Sequence, residues 1–252
     1  MDPHTNRTLW FAWGGVADLT VVREMTYDRV NQQLLMWPVA ELASLRGAAP
    51  LGHVAANTAI PAAGKSLPVF TKNVTAFDFE AEVALPADGS AVSFGAHILA
   101  ARDPADDDAG AASPPVYSKG IGAVLMVNVS AAATTSAGTT SVGSVARFVS
   151  ISLDANATKK LPVFYSYNFT LPADEAAAGS INLRILADST LVEVFVAGGR
   201  GVITAATNPP EGGGAGLYLV AGNGGGSSSA VVTNATAWTM CGNIPEHQLV
   251  EH

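Results

Sequence analysis

Two apolar runs, joined at Asp188-Ser189 and followed by a glycine turn, make up the stretch Ser180-Ile-Asn-Leu-Arg-Ile-Leu-Ala-Asp-Ser-Thr-Leu-Val-Glu-Val-Phe-Val-Ala-Gly-Gly-Arg200. Two such runs with a two-residue connection predict a β-hairpin. We predict that Ala187 pairs with Thr190 across the turn, because that register gives the hairpin one wholly aliphatic face. The cross-strand pairs on this face would be Leu183 with Val194 and Ile185 with Val192. This face belongs in a hydrophobic core.

The other face of the predicted hairpin is mixed in polarity. In the same register Leu186 lies opposite Leu191, and Arg184 lies opposite Glu193. A cross-strand pair of opposite charges typically contributes roughly 0.2–1 kcal/mol. Phe195 lies further along this face. A mixed face needs polar neighbours or a covering domain. If the covering partner is missing, we expect an exposed apolar patch on this face or on another face of the sandwich.

Strict alternation of apolar and acidic residues marks another strand over residues 75–85, where Phe77 and Phe79 alternate with Asp78 and Glu80. This pattern predicts a half-buried strand. Further strands are predicted at residues 9–13, 21–27, 34–37, 91–100, 122–130, 145–153, 163–170, 202–206, 216–221 and 230–240. Many short strands separated by Gly, Pro and Ser predict an all-β fold. The expected architecture is a two-sheet antiparallel β-sandwich of the concanavalin/lectin-like jelly-roll type.

Helical structure is expected at one place only, near the N-terminus. Residues 39–45 follow Pro38 and set apolar Leu42 and Leu45 against Glu41, a pattern that suits one short helix. The segments 101–115 and 131–144 are polar, acidic and rich in small residues. They are predicted to be long loops.

Charge and cysteine content exclude several classes of function. The net charge is -8 and no block of Lys or Arg occurs, which argues against binding of nucleic acid and of an anionic membrane surface. No apolar run approaches the roughly 20 residues of a membrane span. The single cysteine, Cys241, cannot form an internal disulfide. The five histidines lie far apart in the sequence, so no metal site and no cofactor is predicted.

Glycosylation sequons favour a route through the secretory pathway. Asn-x-Ser/Thr motifs, which are candidate N-glycosylation sites, occur at Asn6, Asn73, Asn128, Asn156, Asn168 and Asn234. About two would be expected by chance from ordinary Ser and Thr abundance. An extracellular or vacuolar location is predicted, and accidental matches on a Thr-rich surface are the alternative. The N-terminal apolar stretch is too short to be a convincing signal peptide, so the export signal is expected to lie outside this sequence.

Three stretches resemble one known family and occur in that family's order. Residues 183–200 are similar to the signature hairpin in the C-terminal β-sandwich of glycoside hydrolase family 32, the invertases, fructanases and other β-fructosidases. Arg23–Asp28 together with residues 34–46 resembles the segment by which that family leaves its catalytic propeller, and residues 237–240 resemble its last strand. The resemblance extends from about residue 9 to residue 240.

The resemblance implies that catalysis takes place on a different domain. Family 32 enzymes are retaining glycosidases, whose two carboxylates lie on the propeller in Asn-Asp-Pro-Asn-Gly and Glu-Cys motifs, with a stabilising aspartate in Arg-Asp-Pro. This chain has no Asn-Asp dipeptide, and Met240 precedes its cysteine. Arg102-Asp103-Pro104 matches the third motif, but it follows the linker-like segment and lies in an acidic loop, so we interpret it as a coincidence. Only 22 residues precede Arg23, whereas five propeller blades need about 160–240 residues.

No catalytic, cofactor-binding or metal-binding residue is predicted. The residues singled out are those of a structural hairpin motif, Arg184, Asp188, Glu193 and Phe195. Two of them are carboxylates, which invites a catalytic interpretation. We prefer a structural one, because Glu193 has an arginine opposite it in the predicted register and Asp188 suits a turn.

Three segments are therefore expected: a remnant of the last propeller strand with its linker at 1–22, a β-sandwich at 23–241 and a tail at 242–252. The chain is predicted to be the non-catalytic sandwich of a β-fructosidase that hydrolyses terminal β-D-fructofuranosides such as sucrose, and to be inactive alone. It would be a fragment, a partial gene model or a degenerate relative. Its expected partners are a catalytic propeller missing from this chain or a second subunit, with oligosaccharide as a further candidate.

A free-standing carbohydrate-binding or adhesive sandwich is the alternative. It would need exposed aromatic rings arranged as a platform for sugars. Only 7% of the residues are aromatic, and Trp37 and Trp238 lie among aliphatic neighbours that predict burial. The sequence therefore favours the supporting module over the binding module, although a sandwich fold hosts both kinds of function.

Overall fold

The computed structural model describes residues 7–12, 19–62, 64–100, 121–131, 145–155, 164–188, 190–207, 216–222 and 229–240. Within these ranges the chain consists mainly of antiparallel strands. The strands are β1 Thr8–Trp10, β2 Arg23–Asp28, β3 Gln33–Pro38, β4 Arg46–Val54, β5 Thr58–Ala59, β6 Ser66–Phe70, β7 Ala76–Ala84, β8 Val92–Ala100, β9 Ile121–Val129, β10 Arg147–Asp154, β11 Phe164–Leu171, β12 Ser180–Asp188, β13 Leu191–Val196, β14 Gly201–Ala206, β15 Gly216–Ala221 and β16 Val231–Met240.

The strands form three sheets. The first has three strands in the order β1-β2-β3, and the second has six in the order β11-β10-β9-β8-β15-β6. The third has seven strands, with the order β14-β13-β12-β7-β16-β4 and with β5 paired to β16. The six-stranded and seven-stranded sheets stack face to face and form the predicted all-β sandwich.

The sandwich is held together by the inner faces of its two large sheets. Phe79 and Val194 of the seven-stranded sheet and Phe94, Leu125 and Ile151 of the six-stranded sheet are fully buried in one continuous core. Alternation explains the arrangement, because every second side chain of a strand points to the same face. Burial of side chains of this size contributes about 1.5–3 kcal/mol each. This core is the main source of stability.

Two short helices interrupt the strands. A 3-10 helix over Ala40–Leu45 confirms the predicted helix near the N-terminus. The helix α1, Ala173–Ala177, was not expected from the sequence, because it has only five residues and follows Pro172 directly after β11. Among the described residues no helix is long and apolar enough to cross a membrane.

The central hairpin forms as β12 and β13, but its predicted register was wrong by two residues. Ala187 pairs with Val192, not with Thr190, and Arg184 lies opposite Phe195. A shift of two residues leaves every side chain on its original face, so the aliphatic face still enters the core. The predicted cross-strand pair of Arg184 with Glu193 does not exist, since Glu193 lies opposite Leu186.

An uncovered apolar patch was expected on the mixed hairpin face or on another face of the sandwich, and the structure excludes the first of these two places. Leu186, Leu191 and Phe195 are buried. The three-stranded sheet covers this part of the seven-stranded sheet, with Trp37 of β3 against Phe195 and the Met36 N–H donating to the Gly199 carbonyl at 3.1 Å. The segment that precedes the sandwich in the sequence therefore provides the cover.

Three strands of the described ranges, β4, β5 and β6, were not predicted from the sequence. β4 contains Gly47, Pro50 and Gly52, residues that usually interrupt strands. Pro50 is tolerated because β4 is at the end of the seven-stranded sheet. A Cβ at Gly52 would lie 2.0 Å from the Val69 carbonyl oxygen, so β4 and β6 can approach each other only with glycine here. The predicted loops at 101–115 and 131–144, the Arg102-Asp103-Pro104 motif and the tail lie outside the described residues, apart from residue 131.

Candidate functional site

Glu193 lies at the contact between the sandwich and the three-stranded sheet. Its carboxylate accepts a hydrogen bond from the Val21 backbone N–H at 2.7 Å and another from the Arg23 guanidinium. The Thr204 hydroxyl on β14 donates to the same carboxylate at 3.2 Å. Arg23 and Glu193 are both buried, so each charge is compensated by the other rather than by water.

Aromatic rings surround this buried ion pair. The guanidinium carbon of Arg23 lies 5.0 Å from the ring centroid of Trp10 and 5.0 Å from that of Phe195. Trp37 meets Phe195 edge-on, with the ring centroids 6.0 Å apart. Cation–π contacts contribute about 0.5–2 kcal/mol, with the larger values in desolvated sites. Phe195 therefore packs against both Arg23 and Trp37 of the three-stranded sheet.

A second charge network lies further along the same face of the seven-stranded sheet. Arg184 on β12 donates to both carboxylate oxygens of Asp78 on β7, at 3.0 and 2.8 Å. Arg46 on β4 donates to Asp78 at 2.8 Å and also binds Glu80. Two guanidinium groups thus face two carboxylates, and the network is electrically balanced. This balance allows the fully buried Asp78 to lie in the middle of a strand.

Arg46 connects this network to Trp238. Its guanidinium carbon lies 4.0 Å from the ring centroid of Trp238. Partial burial opposes the charge of Arg46, but the hydrogen bond to Glu80 and the charges of Asp78 and Glu80 raise the pKa of Arg46 above its ordinary value. Trp238, which the sequence predicts to be buried, is half-buried, and so is Trp37.

Arg200 provides another attachment of the three-stranded sheet, separate from the ion pair of Arg23 with Glu193. It donates to Asp28 at the end of β2 at 2.6 Å, to Gln33 at the start of β3 at 2.9 Å and to Glu175 of α1 at 2.8 Å. The hydrogen bond from Arg200 holds the pKa of Asp28 well below its usual range. Hydrogen bonds to Glu175 and then to Asp28 raise the pKa of Arg200. These groups therefore remain charged, and the contact persists, at neutral pH.

Asp188 lies apart from these networks, exposed at the end of β12. Its carbonyl oxygen accepts a hydrogen bond from the Thr190 N–H. This contact between residues two positions apart places Asp188 at the turn of the hairpin. Arg23 binds Glu193, while Arg184 and Arg46 both bind Asp78 and Glu80. Each of these carboxylates therefore faces a guanidinium group. In the part of the chain that the structure describes, no cluster of His, Cys, Asp or Glu is placed to hold a metal ion. The charged networks therefore serve to join strands and sheets.

Exposed apolar side chains are concentrated in the residues before the sandwich. Tyr27 is 59% exposed and Leu34 is 46% exposed, and they are direct partners in β2 and β3. We call the exposed apolar residues between positions 9 and 45 the N-terminal apolar surface. Its members are Leu9, Trp10, Phe11, Leu19, Tyr27, Val30, Leu34 and Leu45. The three-stranded sheet thus contacts the sandwich and still presents apolar side chains to solvent.

The sequon asparagines that the structure describes are all on the surface. Asn73 lies between β6 and β7, while Asn128, Asn168 and Asn234 lie in strands, and the side chains of all four are exposed. Asn6 and Asn156 lie outside the described residues. Glycosylation of these sites stays a prediction.

Few signals in the sequence pointed to the arginines that organise the site. Arg23, Arg46 and Arg200 occur in the stretches that carry the family resemblance, but their partners lie between 25 and 172 positions away in the chain. The burial of Asp78 was not expected either, because its alternation with Phe77 and Phe79 places it on the polar face of a half-buried strand. Its partner could be identified only after β12 and β7 were known to be neighbours.

A family model agrees with this architecture. The model described as the C-terminal domain of glycosyl hydrolases family 32 matches residues 41–239. No curated protein sequence matches the chain. The matched range begins at the 3-10 helix and ends one residue before the end of β16.

Solved structures of larger enzymes contain a similar fold. Fructan 1-exohydrolase IIa from Cichorium intybus matches 88% of this chain at a TM-score of 0.62 and 18% identity, over 41% of its own length. Exo-inulinase from Aspergillus awamori matches at a TM-score of 0.50 and 15% identity, and sucrose-6-phosphate hydrolase from Lactobacillus gasseri at 0.51 and 13%. Both matches cover 88% of this chain, and 36% and 33% of the respective enzymes. The chain therefore spans less than half the length of these proteins.

Proposed function

Because this chain belongs to the family of glycosyl hydrolase family 32 C-terminal domains, we propose that it is the non-catalytic β-sandwich of a β-fructosidase. Its role would be to pack against a catalytic propeller and stabilise it. The activity of the whole assembly would be hydrolysis of terminal β-D-fructofuranosides such as sucrose. The structural relatives are named as a fructan exohydrolase and a sucrose-6-phosphate hydrolase, which agrees with this class of substrate.

The observation that carries this proposal is the N-terminal apolar surface. A three-stranded sheet cannot bury both of its faces by itself, and contact with the sandwich leaves Tyr27 and Leu34 exposed. Contiguous exposed apolar groups on a folded protein mark an interface. A propeller domain placed against β2 and β3 would cover Tyr27 and Leu34, which are otherwise in water.

The charged networks support the non-catalytic part of the proposal. Glu193 is held by Arg23 and by a backbone N–H, and Asp78 is held by Arg184 and Arg46. A carboxylate held by a guanidinium group in this way is not free to attack a sugar. The purified chain should therefore release no fructose from sucrose or 1-kestose. Release of fructose above the level of a no-protein blank would contradict the proposal.

Docking can be tested with the propeller domain of the chicory fructan exohydrolase, expressed without its own sandwich. We expect the wild-type chain to raise the soluble yield and the thermal unfolding midpoint of that propeller. The double variant Tyr27→Lys/Leu34→Lys should lose this effect, because it introduces two charges into the N-terminal apolar surface.

Phe164→Lys is the matched control for this experiment. Phe164 is 60% exposed, almost the same fraction as Tyr27, but it lies on β11 of the six-stranded sheet. This variant should stabilise the propeller as well as the wild type does. Equal loss in both variants, or no stabilisation by any of them, would contradict docking through the N-terminal apolar surface.

A carbohydrate-binding module remains the second candidate, because aromatic rings on β11 are accessible. Tyr165 is 38% exposed and Tyr167 is 43% exposed, two positions apart on one side of the strand. Tyr167 stacks on Phe169 with an interplanar angle of 29°, but Phe169 is buried, so this stacked pair offers one accessible ring. Calorimetric titration with sucrose and inulin tests this candidate. Binding that Tyr167→Ala abolishes would favour it over the docking role.

We also propose that the protein passes through the secretory pathway to the extracellular space or the vacuole. The four described sequon asparagines are exposed and would be accessible to glycan addition. Expression behind a signal peptide in a eukaryotic host, followed by glycopeptide mass spectrometry, tests this route. Absence of glycan from every sequon would contradict it.

A further inference from the structure

β11 is an unusually exposed edge of the sandwich. Within the described ranges it pairs with β10 only, so one side of its backbone has no strand beside it. Its sequence, Phe-Tyr-Ser-Tyr-Asn-Phe-Thr-Leu, contains no charged residue, no proline and no glycine. It carries Tyr165 and Tyr167 on one side and Phe164 on the other, all accessible to solvent.

Edges of this type normally carry protection. An open row of backbone N–H and C=O groups can pair with a strand of another molecule, and proteins prevent this with Lys, Pro, bulges or a covering segment. A segment of high β propensity without charge is also the signature of aggregation-prone strands. The sequence of β11 contains neither lysine nor proline. Among the described residues five consecutive side chains of β11, from Phe164 to Asn168, are exposed, so no described segment covers them.

Asn168 lies in the middle of this edge strand and begins the sequon Asn168-Phe169-Thr170. Its exposed side chain shares the outer face of the six-stranded sheet with Ser166 and Phe164. Asn168 pairs with Ser150, and Phe148 pairs with Thr170, which makes Phe148 a diagonal neighbour of Asn168 on that face. Phe148 is 52% exposed. A bulky group on Asn168 would thus lie over an exposed ring and beside the open edge.

We propose that Asn168 carries an N-linked oligosaccharide, and that this glycan shields β11 from pairing with other chains. In the modification the side-chain amide nitrogen of Asn168 forms a bond to C1 of the first sugar of a lipid-linked oligosaccharide. The bond from C1 to the lipid pyrophosphate breaks, the pyrophosphate leaves, and the amide releases one proton. The hydrated glycan is too large to allow a second strand to approach along β11.

A glycan at Asn234 would not have this effect. Asn234 is also exposed and also lies in a strand with a sequon, but β16 has β7 on one side and β4 and β5 on the other. The backbone of β16 is already paired, so loss of a glycan there uncovers no edge. Asn234 is therefore the natural control for Asn168.

The experiment compares glycan occupancy and association in the full chain secreted from a eukaryotic host. Glycopeptide mass spectrometry should find Asn168 occupied in the wild type and Asn234→Gln. Light scattering after size exclusion should show a several-fold rise in the oligomeric fraction for both Asn168→Gln and Thr170→Ala. Thr170→Ala destroys the sequon without changing Asn168, so agreement between the two variants assigns the effect to the glycan.

A rescue separates shielding from a folding defect. Ser166 is exposed on the same face, and Asn168→Gln/Ser166→Lys should restore the wild-type oligomeric fraction, because a lysine on an edge strand prevents pairing. An unoccupied Asn168 in a chain whose other sequons are glycosylated would overturn the proposal while leaving the secretory route intact. A glycan-free Thr170→Ala that associates no more than the wild type would overturn the shielding role.

Discussion

Tyr27 and Leu34 of the three-stranded sheet are exposed, whereas Phe77, Phe79 and Phe195 of the seven-stranded sheet have no surface in contact with solvent. Both sheets consist of strands with large apolar side chains. The seven-stranded sheet is covered on both faces. The six-stranded sheet packs against its inner face, and the three-stranded sheet packs against part of its outer face. The three-stranded sheet is covered only where it meets the sandwich.

The two regions also differ in how they are held. The sandwich is joined by a continuous apolar core, while the three-stranded sheet is attached through Arg23 with Glu193, Arg200 with Asp28 and one layer of aromatic rings. The hydrophobic effect is non-directional and is shared among many side chains, whereas a buried ion pair is lost when one partner is removed. The sandwich should therefore tolerate loss of the three-stranded sheet better than the reverse.

The largest expected effect tests the difference in burial directly. Phe79→Ala should lower the free energy of unfolding by about 4 kcal/mol, because it removes a fully buried ring from the core. Tyr27→Ala should change it by about 0.5 kcal/mol or less, since the ring is largely in water. Urea denaturation followed by circular dichroism measures both. Similar losses in the two variants would show that the N-terminal apolar surface is buried in solution.

Removal of one partner of the buried ion pair should have the next largest effect. Arg23→Met leaves the Glu193 carboxylate buried and uncompensated, and should lower the free energy of unfolding by about 3 kcal/mol. The double variant Arg23→Met/Glu193→Leu should recover a large part of that loss, because no charge then remains. A double-mutant cycle by urea denaturation gives the coupling. A cycle in which the two losses simply add would rule out a direct interaction.

Two adjacent glycines allow the contact between the sheets to be measured separately. Gly198 and Gly199 both have positive φ, so alanine at either position is strained by about 1–2 kcal/mol. A Cβ at Gly198 would meet no atom within 4 Å, but at Gly199 it would lie 2.2 Å from the Met36 carbonyl oxygen. Gly199→Ala should therefore cost about 1 kcal/mol more than Gly198→Ala. Equal thermal stability of the two variants would show that β3 does not press on this turn.

The smallest effect concerns acid pH. Arg200 lowers the pKa of Asp28 in the folded protein, whereas the unfolded carboxyl titrates near its ordinary value of about 3.9. The stabilisation is therefore complete above about pH 4 and is lost as the pH falls towards the lower folded pKa. Hydrogen exchange of β2 and β3 amides, corrected for its intrinsic pH dependence, should show reduced protection at pH 3 compared with pH 6. Asp28→Asn should show low protection at both values, and a wild-type profile in that variant would contradict this role.

The periodicity of apolar residues predicted the strands of the sandwich, but it did not predict which residues pair across neighbouring strands. The alternation around Phe77 and Phe79 predicted β7, and the aliphatic face of the hairpin predicted which side enters the core. The predicted register of the hairpin was wrong because two registers that differ by two residues bury the same faces. The choice between them depends on neighbours, and Arg184 binds Asp78 of β7 rather than Glu193 of its own hairpin.

The sequence by itself determined the fold class, the membership of the hairpin in a core and the absence of the family's two carboxylate motifs, because these depend on local patterns of residues. Only the tertiary structure decided that Arg23 compensates Glu193, that Arg200 holds Asp28 and that the strands before the sandwich cover its mixed face. The partners in these contacts are about 170 positions apart in the chain. Charge compensation in a buried site depends on distance in space, and a one-dimensional pattern does not contain that distance.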